Sequence, residues 1–110
     1  MTSKEKHEMY LEKKKFIENL NEVFQIEPLC PSVEGVHYEL YTKDYGEDRI
    51  DEREWIVVHF SGGGKSVKNV SGNSNIANFR VVGTMLVGGY YAENFTHQKQ
   101  EEDGYTKVDL

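Results

Sequence analysis

Residues 54 to 71 read EWIVVHFSGGGKSVKNVS, and this stretch decides the predicted fold. Apolar side chains occupy both alternating sets of positions from Trp55 to Phe60, so both faces of this strand are largely apolar. Three glycines at positions 62 to 64 then indicate a turn, and residues 65 to 71 continue as a second strand. The stretch therefore predicts a β-hairpin. Its first strand is central in a sheet, or its second face is covered by a helix or a partner.

The segment before this hairpin predicts a further strand. Apolar and polar side chains alternate from residue 36 to residue 43, as in a strand with one face exposed to solvent. Residues 44 to 48 contain a glycine and several acidic residues, which is typical of a turn. Sequential strands joined by short turns pair antiparallel, so we expect one three-stranded antiparallel sheet. This pairing could make His37 and His59 neighbours across the strands.

An amphipathic helix is predicted before the sheet. Residues 3 to 25 repeat apolar side chains at i, i+3, i+4 and i+7, with Ser3 placed to act as the N-cap. Pro28 and Pro31 follow, and proline cannot continue a helix. The helix therefore ends before this pair of prolines, which forms a rigid extended linker.

A second helix is predicted after the sheet. Residues 76 to 91 keep helical spacing behind a cap at Ser74 or Asn75, and we expect the helix to end near Gly88. The valines, tyrosines and glycines of this segment leave a strand as the alternative, because glycine inside a helix costs about 1 kcal/mol. One face of the sheet needs cover, and the two helices can supply it.

The predicted fold class is therefore α+β, with an N-terminal helix, a three-stranded antiparallel sheet and a second helix. The chain has 110 residues, which suits a single domain, and we place that domain at residues 1 to 92. Residues 93 to 110 are polar and acidic. They predict a C-terminal tail that is frayed or adds a short edge strand.

Charge is unevenly distributed along the chain. The formal net charge is −6. Residues 31 to 59 hold eight acidic and three basic side chains, whereas residues 60 to 92 hold three basic side chains and no acidic one. The acidic balance argues against direct binding to nucleic acid or to an anionic membrane.

The acidic segment between the first two strands is the principal candidate site. One interpretation is a solvated turn. The other is a surface that imitates a phosphate backbone and docks on the basic surface of a protein partner, such as a nucleic-acid-binding nuclease. Aromatic side chains amid a charged rim are typical of protein interfaces. The predicted partner-binding residues are Asp44, Tyr45, Glu47, Asp48, Asp51, Glu52 and Glu54.

The chain is similar in type to the small acidic accessory proteins of phages and mobile elements, among them anti-CRISPR inhibitors. The likeness rests on a short, acidic α+β chain without a catalytic motif, and it carries no functional residue over. It implies a non-enzymatic inhibitor of a defence nuclease that acts by DNA mimicry.

An anion site at the glycine turn is the first alternative. Backbone N–H groups of the turn and of the second helix could hold a phosphate or nucleotide. The turn is not a P-loop, because His59 occupies the position of the first P-loop glycine. The predicted anion-binding residues are Gly62, Gly63, Gly64, Lys65 and Lys68.

The remaining sequence features predict neither catalysis nor a metal or cofactor. The four histidines have no metal-ligand spacing, and the only cysteine, Cys30, has no obvious activating base. The charged N-terminus does not read as a signal peptide, and we expect a cytoplasmic protein. A homo-oligomeric structural protein is the second alternative. A homodimer is favoured if no helix covers the second apolar face around Trp55.

Overall fold

The computed structural model describes residues 2–24, 33–86 and 95–110. The described strands form one antiparallel sheet in the order β3-β2-β1-β4. The predicted α+β class and antiparallel sheet are confirmed, but the expected three strands are wrong, because the predicted tail supplies a helix and a fourth strand. The elements are α1 (Ser3–Phe24), β1 (Val33–Gly46), β2 (Arg49–Phe60), β3 (Lys65–Asn69), α2 (Asn75–Leu86), α3 (His97–Glu102) and β4 (Thr106–Lys107).

The β1–β2 hairpin is longer than its sequence pattern suggested. Pairing runs from Val33 opposite Phe60 to Gly46 opposite Arg49, so most of the predicted turn belongs to the strands. β3 pairs with the inner half of β2, and β4 pairs only with Tyr41 and Thr42 of β1. The outer half of the hairpin is therefore a two-stranded ribbon.

α1 covers one face of the sheet. The N-cap is Thr2 rather than Ser3, because the Thr2 hydroxyl oxygen accepts a hydrogen bond from the Glu5 N–H at 3.1 Å. Gln25, Pro28, Cys30 and Pro31, the predicted helix end and linker, lie outside the described residues. Within the described ranges, neither α1 nor any other helix has the length and apolar character needed to span a membrane.

The segment after β3 is a helix, as predicted, and not the alternative strand. The Ser74 hydroxyl oxygen accepts a hydrogen bond from the Ala77 N–H at 3.3 Å, which caps α2 as expected. The predicted helix end near Gly88 and the predicted domain boundary after residue 92 both lie outside the described residues. Residues 95 to 110 pack on the sheet.

The two faces of the sheet carry different cores. Strand alternation sends Ile56 and Val58 to the helices, and Trp55 and Val57 to the C-terminal segment. The core on the helix side is largely aliphatic. It contains Tyr10, Ile17, Leu20, Val33, Val36, Tyr38, Leu40, Ile56, Val58, Val70, Val82, Met85 and Leu86. The core on the other side contains Tyr41, Trp55, Val57, Val67, Phe95 and Tyr105.

Candidate functional site

Every residue at the outer end of the β1–β2 hairpin, residues 44 to 51, is exposed, and we call this segment the hairpin tip. Its turn residues, Glu47 and Asp48, have φ values of 52° and 61°. Two consecutive residues with positive φ are what a type I′ turn requires. Asp44 supports the turn, because its Oδ1 accepts a hydrogen bond from the Gly46 N–H at 2.8 Å.

The predicted acidic residues do not form one surface, and Glu54 lies in the interior. Its side chain is only 2% exposed. Oε1 accepts hydrogen bonds from the Tyr38 hydroxyl at 2.6 Å and from Lys13 Nζ at 2.9 Å. Oε2 accepts one from the Gly72 N–H at 2.7 Å. Glu54 therefore ties α1, β1 and the segment before α2 together, and no partner can reach it in this fold.

Glu52 and Asp51 are engaged on opposite faces of the ribbon. The Glu52 carboxylate accepts hydrogen bonds from Lys6 Nζ at 2.6 Å and from the Tyr10 hydroxyl, both on α1. Asp51 accepts one from the Tyr105 hydroxyl on the C-terminal segment. Both side chains thus hold the covering layers onto the ribbon.

Three carboxylates at the hairpin tip, those of Asp44, Glu47 and Asp48, remain available beside two exposed apolar side chains. Tyr45 is 53% exposed and Ile50 is 54% exposed. Ile50 was not predicted as a site residue, although its position as an isolated apolar residue among charged residues could have indicated it. The hairpin tip therefore combines a dense negative charge with apolar contact area.

Tyr45 and Ile50 lie on opposite sides of the ribbon. The ammonium of Lys43 lies 4.9 Å from the Tyr45 ring and 5.8 Å from the Tyr105 ring, which places Tyr45 on the side of the C-terminal segment. Alternation along β2 places Ile50 on the side of Ile56 and the helices. A partner that uses both side chains must therefore enclose the hairpin tip.

A cleft of about 460 Å³ lies at the other end of the hairpin, and we call it the histidine cleft. Its floor includes His37 of β1, His59 of β2 and Lys65 of β3, and Phe95 to His97 form one wall. The rings of His37 and His59 are 5.2 Å apart and meet edge to face, which confirms that the two histidines are neighbours.

Glu39, on the side of the histidine cleft next to β4, is paired with basic side chains of the same chain. Glu39 Oε1 lies 3.1 Å from Lys107 Nζ and 3.5 Å from His97 Nε2. His97 Nδ1 is also hydrogen-bonded to the Tyr41 hydroxyl. Burial, followed by the negative charge of Glu39, raises the pKa of Tyr41 well above its usual value. Tyr41 therefore stays neutral and links the cleft wall to the sheet.

The structure divides the predicted anion-binding residues between two faces. Gly62 and Gly63 have φ values of 97° and 94°, and the Gly63 N–H donates to the Phe60 carbonyl at 3.2 Å within the turn. Lys65 lines the histidine cleft. Lys68, three residues further along β3, lies on the opposite face of the strand by alternation.

The described residues hold no group of three or more histidine, cysteine, aspartate or glutamate side chains that could bind a metal ion. The second face of β2 is covered by Phe95 and Tyr105 of the same chain. The uncovered face that would have favoured a homodimer is therefore not present around Trp55. Comparison of the chain with protein-family models, curated proteins and solved structures finds no match.

Proposed function

We propose that the protein is a non-enzymatic binding protein that docks its hairpin tip on a basic surface of a protein partner. The most concrete partner is a nucleic-acid-binding nuclease of a defence system, which would make the protein a phage or mobile-element inhibitor of the anti-CRISPR type. The observation that carries the proposal is the pair of acidic residues, Glu47 and Asp48, at positive φ in the turn.

The positive φ value of Glu47 matters because the left-handed conformation is unfavourable for glutamate. Glycine, asparagine and aspartate are preferred in a type I′ turn, so Asp48 suits its position, whereas the left-handed conformation costs other residues about 1–2 kcal/mol each. Glu47 occupies the first turn position despite this cost. Residues in such sparsely populated conformations cluster at functional sites, which supports a functional role for Glu47.

The chemistry of the hairpin tip fits a basic pocket better than a long nucleic-acid channel. Its carboxylates steer the protein toward a positive surface and lose influence as salt screens them. Tyr45 and Ile50, exposed on opposite sides, provide the apolar anchors that usually dominate binding energy. DNA mimicry would therefore be limited to the few phosphate positions that this small cluster can replace.

A paired substitution, Glu47→Asn with Asp48→Gly, tests the proposal without damaging the fold. Asn-Gly suits the turn, so we expect the free energy of unfolding to rise by about 1 kcal/mol. Capture of the partner from a lysate of the cells in which the protein occurs should nevertheless be lost. The control is Glu8→Gln with Glu12→Gln, which removes the same charge from exposed positions of α1.

The expected result is a basic, nucleic-acid-binding protein captured by the wild type and the α1 control. Capture should weaken with salt and with added double-stranded DNA. Equal capture by the turn variant would overturn the proposal, because the substitutions remove the two acidic side chains on which it rests.

A further inference from the structure

We propose that the histidine cleft binds a small molecule that carries a phosphate monoester, with His37, His59 and Lys65 as its hydrogen-bond donors. This site is separate from the hairpin tip, because it lies at the opposite end of the β1–β2 hairpin. It also differs from the predicted glycine-turn site, with which it shares only Lys65.

The backbone brings these three side chains together on adjacent strands. Gly35 of β1 stands opposite His59 of β2, and His59 in turn stands opposite Lys65 of β3. A Cβ atom on Gly35 would lie 3.3 Å from His37 Nε2, so the His37 ring leans over the space that the glycine leaves open. A side chain at position 35 would therefore crowd the His37 ring in its contact with His59.

Among the described residues, the floor holds the positive charge of Lys65 and no carboxylate, whereas the whole lining, with three lysines and three acidic side chains, is formally neutral. Two carboxylates that line the cleft are already compensated: Glu18 pairs with Lys14 at 2.5 Å, and Glu39 pairs with Lys107. Within the described part of the chain, Lys65 forms no ion pair with a carboxylate. Asp109 also lines the cleft, at the β4 end. The ammonium of Lys65 and the imidazole N–H groups are thus available to an anionic ligand.

The donor set and the volume together indicate the class of ligand. A phosphate monoester presents three terminal oxygens, one for each donor, and charge-assisted hydrogen bonds to such oxygens are strong. The volume of about 460 Å³ lies within the usual range for small-molecule sites, about 300–1,000 Å³. Val57, Phe95 and Leu110 line the cleft as well and can contact the apolar part of an ester.

Phenyl phosphate is the test ligand, followed by NMR of the histidine side chains in the full chain. We expect the imidazole signals of His37 and His59 to shift together and to saturate. His7, exposed on α1, is the internal control and should not shift. Inorganic phosphate and phenol are titrated separately, and we expect weaker binding for the first and none for the second.

Two matched substitutions then identify the charged donor. Lys65→Ala should weaken phenyl phosphate binding at least about tenfold, as expected when a charge-assisted hydrogen bond is lost. Arg80→Ala removes the same charge from an exposed position on α2 and should leave the affinity unchanged. Thermal unfolding followed by circular dichroism checks that both variants fold.

The proposal is overturned by shifts that rise linearly without saturation, by equal shifts at His7, or by equal affinity after Lys65→Ala. Binding of phenol, or binding of inorganic phosphate as tight as that of phenyl phosphate, would equally overturn the assignment to a phosphate ester. The Glu47→Asn, Asp48→Gly variant should bind phenyl phosphate like the wild type. Loss of ligand binding at the histidine cleft and loss of partner binding at the hairpin tip are therefore distinguishable.

Discussion

The two faces of the sheet are covered in different ways. The helices bury a large aliphatic core on one face, and the C-terminal segment buries a smaller, mainly aromatic core on the other. The stabilisation from burial grows with the apolar area removed from water, so the helix face contributes more of it. A short segment can therefore cover a sheet face when specific polar contacts supplement a small core.

Arg53 provides the clearest of these polar contacts. Its guanidinium carbon lies 3.9 Å from the centre of the Tyr105 ring. Nη1 donates to Asp103 Oδ2 at 2.9 Å and to Gln100 Oε1 at 3.2 Å, and Gln100 is fully buried. The hydrogen bond from Arg53 lowers the pKa of Asp103, which remains ionised in this arrangement. One side chain of β2 thus holds three residues of the C-terminal segment.

The largest expected effect comes from substituting two carboxylates of β2, Glu54 on the helix face and Asp51 on the face of the C-terminal segment. The two substitutions test whether the two faces of the sheet differ in stability. Glu54→Ala leaves Lys13 without its buried partner and removes the acceptor of Tyr38 and Gly72, so we expect a loss of about 3–5 kcal/mol. Asp51→Ala removes one hydrogen bond at an exposed position and should cost about 1 kcal/mol. Urea unfolding measures both values, and equal losses would contradict the difference between the faces.

Phe95→Ala tests the second face directly. Phe95 packs 4.9 Å from the Trp55 ring, centre to centre, and we expect a loss of about 3 kcal/mol. Because Trp55 is the only tryptophan, its emission reports on this face alone. The emission should shift to longer wavelength while circular dichroism retains the helical signal.

Phe16→Ala is the control for this experiment. Phe16 lies on α1 and is 36% exposed, so we expect a loss of about 1 kcal/mol or less and unchanged tryptophan emission. If Phe95→Ala instead abolished the helical signal together with the emission change, the two faces would unfold as one cooperative unit.

Alkaline pH should produce the smallest effect. The hydrogen bond to Asp51, with burial, raises the pKa of Tyr105 from 10.0 to about 12. The folded pKa is above the unfolded one, so the neutral phenol stabilises the fold fully below pH 10, and this contribution is lost as pH rises through 12. Tyr105→Phe should lose less stability over this interval. An identical pH profile for the variant would show that Tyr105 is not responsible.

Much of the fold could be predicted because its periodic signals were long. The helical stripe of α1 and the apolar run of β2 each span many residues, and both structures were confirmed. β4 consists of only Thr106 and Lys107, so a short edge strand in the tail could be named only as an alternative to a frayed end. Phe95 and Tyr105 are buried because of tertiary packing, and the polar residues around them gave no sign of it.

The candidate site was harder to predict because the strand boundaries were misplaced. β2 begins at Arg49, whereas the pattern placed its start at Glu54. Once the strand is extended, alternation alone separates Asp51 from Glu52. The juxtaposition of His37 and His59 followed from strand pairing, and the pairing of β2 with β3 likewise places Lys65 opposite His59. The addition of His97 to the same cleft depends on tertiary structure that the sequence pattern does not encode.

The strand order also has a consequence for folding kinetics. β1, β2 and β3 are joined by short turns, whereas β4 returns to pair with β1 from the far end of the chain. Closing such a long loop loses more chain entropy than forming a local hairpin does. We therefore expect the three-stranded meander to form first. Trp55 would then become buried in a later, slower phase. Until that phase is complete, the aromatic face of the sheet is exposed to water and to other unfolded chains.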